Sequence, residues 1–353
     1  MALSIGIVGL PNVGKSTLFN TITKNQVSAS NYPFCTIDPN VGVVTVPDER
    51  LEKLSAISGS AKLLPTTIEF VDIAGLVKGA HKGEGLGNKF LAHIRECDAI
   101  CEVVRAFEDD NIIHVDGRID PKEDRQTINI ELIMADLSTV EKAIERKTRE
   151  AKSGDKDALK HKDLFVKLKE NLDGEKAARE FECNEEDEKV IAQLQLITKK
   201  PIIYVINDNK GNSLDSSGWD GLVITLNVQL ESEIASLPKE DQAEFIKELG
   251  LDESGLDKLI KASYELLGLS TFLTTGKIET RAWTVKKGSK APVAAAAIHS
   301  DFEKNFIRVE IVKWQDFVAC NGEAVAREKG LLRTEGKEYI VQDGDVCHFL
   351  VNK

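Results

Sequence analysis

Nowhere in the 353 residues do apolar side chains run for the roughly 20 positions that a bilayer-crossing helix needs. A helical membrane protein is therefore excluded. No charged-apolar-small leader pattern opens the chain, and a cytoplasmic protein is expected. Cysteine is sparse: Cys35, Cys97, Cys101, Cys183, Cys320 and Cys347 are scattered. That spacing is no disulfide framework and fits a reducing compartment. Cys97 and Cys101 are close in sequence, but no second Cys/His pair completes a zinc site, so buried thiols are expected. Excess positive charge is also missing. A net charge of −12 argues against a surface that binds nucleic acid indiscriminately. One local exception stands out, because residues 142–171 carry ten Lys/Arg against six Asp/Glu.

Five short apolar, β-branched runs alternate with helical or glycine-rich stretches: Leu3–Val8, Ile68–Val71, Ala99–Val104, Pro201–Ile206 and Leu222–Leu226. This alternation predicts an α/β fold with a parallel sheet covered on both faces, its ligand beyond the carboxyl ends of the strands. From Ile128 to Leu172 the apolar residues recur at helical spacing, and Ser153-Gly154-Asp155 interrupts them. An inserted antiparallel helix pair is expected there, and a second helical region from Ser236 to Leu267. Beyond Thr271 the texture is that of a small β-rich domain: Arg281–Val285, Ile307–Val312 and Tyr339–Val341 read as strands, with Gln342–Asp345 a tight turn. The expected domains are 1–127 with 200–270 for the sheet, 128–199 for the arm and 271–353 for the terminal domain.

Directly after the first run stands Gly9-Leu10-Pro11-Asn12-Val13-Gly14-Lys15-Ser16-Thr17, followed by a helical pattern. Strand, glycine loop and helix in that order form a phosphate-binding loop. Backbone N–H groups of Asn12 to Thr17 line an anion-binding nest at the positive end of the helix. Lys15 is placed to neutralise β- and γ-phosphates, and Ser16 to ligate Mg²⁺. Asp72-Ile73-Ala74-Gly75 follows another strand; Asp72 can reach the metal and the Gly75 N–H the γ-phosphate, although a loop turn gives the same pattern. Thr36, in the loop after the first helix, can complete the metal shell. Lys78 to Gly87 carries four glycines in ten residues and is expected to order around a γ-phosphate.

Leu76 occupies the place where many nucleotide switches carry a water-orienting glutamine, and leucine offers no hydrogen bond. His81 and His114 are the candidate replacements, each equally compatible with simple packing. Base recognition is expected from Asn207-Asp208-Asn209-Lys210. In guanine-specific proteins a carboxylate stands at the Lys210 position and accepts from guanine N1–H and the exocyclic amine. An ammonium only donates, so strict guanine selection is not expected.

Taken together these strings resemble the YchF-type Obg-like ATPases, a branch of the Obg-related P-loop nucleotide switches. The resemblance spans the chain. It includes the phosphate loop, Asn31–Asn40, Phe70–Ala80, Gly83–Gly87, Asn111–Val115 and Tyr339–Val346. It implies a nucleotide domain with an inserted coiled-coil arm and a C-terminal β-grasp (TGS) domain. It also implies slow hydrolysis of ATP in preference to GTP, association with the ribosome or its RNA, and a switch role in translation or stress regulation. His114 is implied as the catalytic replacement for glutamine, and Asn12 as a contributor to K⁺ binding. Relatives commonly place Glu where this chain has Lys210. A monomer is expected. The alternative is a nucleotide-gated ribosome- or RNA-binding module whose turnover is incidental or directed to GTP. By charge alone the basic arm suits a solvated helix pair as well as a nucleic-acid contact.

Overall fold

Two interior strands of the first sheet, β5 (Ala99–Arg105) and β6 (Ile202–Asn207), are buried along their whole length. Their near-continuous apolar sequences fit strands covered on both faces. The computed structural model describes residues 3–24, 40–73, 86–109, 112, 118–211 and 214–352. Its first sheet has the order β2-β4-β1-β5-β6-β7, with β1 at Ser4–Val8, β2 at Val41–Thr45, β4 at Thr67–Asp72 and β7 at Leu222–Leu226. Every expected strand of this sheet is present, and β2 adds a further one at the edge. β1 pairs in parallel with β4 on one side and β5 on the other. The chain therefore reverses its direction of travel across the sheet at β1, which opens a crevice beyond the strand ends.

The inserted arm consists of α4 (Pro121–Ala151) and α5 (Lys156–Asp173). Asp120 caps α4 by accepting from the N–H groups of Lys122 and Glu123, so the helix starts seven residues before the expected Ile128. Asp155 caps α5 in the same way, through Asp157 and Ala158. Gln126 bonds Glu175 and Lys169 pairs with Glu141, so rising positions on α4 meet falling positions on α5 and the pair is antiparallel. Val140, Ala143, Leu164, Phe165, Leu168 and Leu172 fill the seam.

The second sheet has the order β11-β10-β12-β8-β9-β3. Its strands are β3 (Lys62–Leu64), β8 (Leu269–Thr275), β9 (Glu279–Lys286), β10 (Phe306–Lys313), β11 (Arg333–Glu335) and β12 (Asp345–Val351). A β8–β9 hairpin, the helix α10 (Ala291–Ile298) and a central parallel β8–β12 pair build the expected β-rich terminal unit. Side chains alternate between its faces. Phe272, Val309, Ile311 and Phe349 join Ala291, Ala294 and Ala295 of α10, whereas Leu273, Ala282, Val312 and Val346 face the other way.

Leu51 and Leu54 of α2 (Glu49–Ser58) cover that second face. The chain accordingly divides into residues 1–44 with 69–259, and residues 45–68 with 260–353. This differs from the expected boundaries. Segment 45–68 falls within the expected sheet domain by chain order, yet it contributes a helix and an edge strand to the terminal unit. The terminal sheet has two apolar faces, and α10 covers only one of them. A second difference concerns Tyr339–Val341, which forms a single bridge, Lys290 to Ile340, rather than a strand. The Tyr339 hydroxyl and the Gln342 N–H both donate to Asp345, turning the chain there. No helix among the described residues is long and apolar enough to cross a membrane.

Candidate functional site

β1 delivers the glycine loop to the crevice, and α1 (Lys15–Lys24) leaves from it. The loop's bends need glycine at two places. At Gly9 an added Cβ would lie 2.5 Å from the Val103 carbonyl oxygen. At Gly14, with φ +100°, it would lie 2.5 Å from Asn207 Nδ2. Asn12 adopts φ 63°, the left-handed region that asparagine tolerates better than most residues.

Lys15 is only 8% exposed, and its Nζ donates to the Leu10 carbonyl at 2.5 Å across the loop. Burial drives its pKa down to about 8, against the pull of Asp72. Asp72, at the end of β4, is half-buried. Burial pushes its carboxyl up, opposed by the Lys15 charge and a hydrogen bond from Ser16. Three groups of complementary chemistry, an ammonium, a hydroxyl and a carboxylate, thus meet at the mouth of the loop.

The cleft beyond them measures about 580 Å³. One wall is Asn12, Gly14, Lys15, Ser16 and Thr17; a second is Phe107, Asp109 and Ile112, after β5; a third is Asn207 and Asn209 with Asn227, Val228 and Gln229, at the start of α7 (Val228–Ile234). Asn207 ties these walls together. Its Nδ2 donates to the Val13 carbonyl at 3.0 Å, and its Oδ1 accepts from the Val228 N–H at 3.1 Å. Val13 and Asp208 are buried and do not line the cleft; Asp208 accepts from the Lys210 N–H. Thr36, Gly75, Leu76, His81, His114 and the stretch Lys78–Gly85 lie outside the described residues.

Sequence reasoning singles out Asn111–Val115, which includes the cleft-lining Ile112, but neither Phe107 and Asp109 earlier in the β5 loop nor the β7–α7 junction. Arg105 fixes the former. It is fully buried, donates to the carbonyls of Phe107 and Asp109, and stacks 4.3 Å from the Phe107 ring. An arginine ending an apolar strand is the available signal. At the latter, Asn227 caps α7 by accepting from the Gln229 and Leu230 N–H groups.

Relatives match this chain along its whole length. The chain is 56% identical to "Ribosome-binding ATPase YchF" of Bacillus subtilis over 365 aligned residues, covering 100% of both proteins. It belongs to the YchF family. The YchF of Haemophilus influenzae, carrying the same name, is 50% identical over 362 residues, again with 100% of both chains covered. Residues 4–135 match the MMR_HSR1 family, "50S ribosome-binding GTPase". Residues 269–352 match YchF-GTPase_C, "Protein of unknown function (DUF933)". Among solved structures, "Structure of the Schizosaccharomyces pombe YchF GTPase" superimposes with a TM-score of 0.87 at 37% identity, covering 99% of this chain and 97% of that one. The YchF C-terminal match begins at the first residue of β8 and ends one residue beyond β12; α2 and β3, which complete that unit, lie outside it.

Proposed function

We propose that this YchF-family chain binds Mg²⁺–ATP in the cleft, hydrolyses it slowly, and uses the bound state to control association with the ribosome. One observation carries the reading: Lys15, Ser16 and Asp72 converge at the end of a parallel sheet, beneath a cleft large enough for a nucleotide. A buried ammonium whose pKa is held at about 8 gains from an arriving triphosphate, whose negative charge favours its protonated form. Loop N–H groups of Asn12 to Thr17 bind the phosphates, and Lys15 bridges the β and γ groups. Ser16 and Asp72 supply hard oxygen donors suited to Mg²⁺, with Thr36 as a third ligand. When bound, the ion offsets charge on the β- and γ-phosphate oxygens. The Gly75 N–H holds the γ-phosphate, and His114 orients the attacking water in place of a glutamine. Asn12 serves a K⁺ ion beside the phosphates.

ATP is favoured over GTP because Lys210 stands where guanine-specific proteins carry a carboxylate, and the buried Asp208 does not line the cleft. Ribosome association follows from the relatives' names and from the arm. Lys142, Arg146, Arg149 and Lys152 near the end of α4, and Lys156, Lys160 and Lys167 on α5, are exposed and suit a phosphate backbone. The protein acts as a cytoplasmic monomer.

Steady-state hydrolysis and nucleotide affinity of His114→Ala test the catalytic assignment. Turnover should fall by about 100-fold or more, with ATP affinity kept within a few-fold. Unchanged turnover would remove His114 from the mechanism.

A further inference from the structure

The terminal unit carries a cavity of its own, about 400 Å³, beside the point where its sheet opens. β8 and β12 share one register pair, Leu273 with Val346, whereas β8 follows β9 along its whole length and β12 stays on β10 as far as Val351. Past that pair, Thr274 and Thr275 of β8 and Cys347 and His348 of β12 line the cavity, together with Glu310 and Glu323. Glu310 and His348 are directly opposed in the β10–β12 register, so their side chains leave the same face of the sheet. Glu323 opens the short helix Glu323–Glu328 and joins them from a third element. One ligand atom of each residue, an imidazole nitrogen and two carboxylate oxygens, lies within 4.8 Å of the others.

A cation already bridges the two carboxylates. Arg327 Nη2 donates to Glu310 at 2.7 Å and to Glu323 at 2.9 Å, which gathers two anions around one point. These bonds hold the Glu310 carboxyl below its usual range. Arg327 is itself 53% exposed and does not line the cavity, so the pairing is weak and the guanidinium can withdraw into water. The exposed His348 ring makes no hydrogen bond among the described residues. We propose that Glu310, Glu323 and His348 form a site for a Zn²⁺-class ion, which takes the place of the Arg327 guanidinium between the carboxylates. Imidazole with carboxylates is a borderline donor set, suited to Zn²⁺, Co²⁺ or Mn²⁺, whereas Mg²⁺ and Ca²⁺ prefer oxygen alone. A doubly charged ion also balances both carboxylates, where the guanidinium balances one. Three protein ligands leave a coordination position open, and the cavity beside it has room for water or a small ligand there.

Calorimetric titration of Zn²⁺ into the full chain without nucleotide, with the absorption spectrum of the Co²⁺-loaded chain, tests this. The parent should bind Zn²⁺ saturably, and its Co²⁺ form should show ligand-field bands without thiolate charge transfer. His348→Ala and Glu323→Gln each remove a ligand and should weaken Zn²⁺ binding at least about tenfold. Both residues are exposed, so these variants keep the fold, which a melting curve recorded without metal checks. Arg327→Met removes the competing cation and should tighten binding about twofold or more. That gain separates an ion seated between Glu310 and Glu323 from one held elsewhere, because loss of a surface arginine strengthens no distant site. No uptake of Zn²⁺ by the parent overturns the proposal. So does thiolate charge transfer in the Co²⁺ spectrum, which places the ion on a cysteine, or an affinity within about twofold of the parent in both His348→Ala and Glu323→Gln. Equal or weaker binding by Arg327→Met overturns the exchange with arginine.

Discussion

Lys15 is a cation kept from water by the loop it serves, and its titration gives a direct test. In the free protein it loses its proton near pH 8, and a bound triphosphate keeps it charged. Binding above that pH must therefore take up a proton. Affinity for Mg²⁺–ATP should weaken by up to about tenfold per pH unit beyond 8, and Lys15→Ala should bind weakly with no such slope. Isothermal titration across pH 7 to about 9.5 checks both. The stability effect has the opposite sense. The folded pKa lies below the ordinary 10.5, so the unfolded chain binds more protons between the two values, and stability rises with pH there. The loop is legible in sequence because its spacing is a local pattern and Lys15 meets Leu10 five positions away, whereas the contacts that demand glycine at Gly9 and Gly14 are with the distant Val103 and Asn207. The pairing of Glu108 with Lys210 is not legible that way, since the two stand 102 positions apart in the chain.

At the scale of elements, the arm is anchored by a buried polar cluster. The Asp220 carboxylate accepts from Arg125 Nη2, Arg179 Nε and the Tyr204 hydroxyl, each at 2.6 Å. Burial alone would raise its pKa, but Arg179, Tyr204 and Arg125 outweigh that and hold it low. Asp220→Ala leaves two arginines without their shared anion and should cost about 3 kcal/mol in denaturant unfolding. Glu102 lies in the same cluster. It is fully buried, both its oxygens lack a hydrogen-bond partner among the described residues, and burial pushes it up to about 8 from the ordinary 4.5 despite Arg125 and Arg179. With a raised folded pKa, its contribution to stability is lost as pH climbs from 4.5 to about 8. Glu102→Gln should flatten the pH dependence of the melting temperature over that window; an unaltered curve would mean that Glu102 ionises normally. The helices of the arm are visible in the sequence through their period. The cluster is not, because it joins residues from α4, β5, β6 and the segments before β6 and β7.

At the scale of the whole molecule, the chain order hides the division into units. Residues 45–68 sit between strands of the first sheet in sequence, but Leu51 and Leu54 are core residues of the terminal unit. Ser60 bonds the Gly276 carbonyl 216 positions away, and Ser58 accepts from the Thr275 hydroxyl. Apolar spacing identifies α2 as amphipathic, but no local signal states which sheet it covers. Leu54→Ala, at a fully buried site, should destabilise the terminal unit by about 2–5 kcal/mol, seen as an early transition in unfolding. On the arm, replacing Lys142, Arg149, Lys152 and Lys156 by glutamine should weaken ribosome or RNA binding. It should also flatten the salt dependence by roughly one released counterion for each phosphate no longer neutralised. Unchanged binding and slope would place the ribosome-facing surface elsewhere.

The functional reading depends on triphosphate capture at the end of β1. Calorimetric titration of Mg²⁺–ATP into the full chain and into Lys15→Ala tests that most directly. The account predicts saturable binding at one site in the parent, and a loss of at least about tenfold in affinity in the variant. No heat with the parent, or equal affinity in the two proteins, would contradict it.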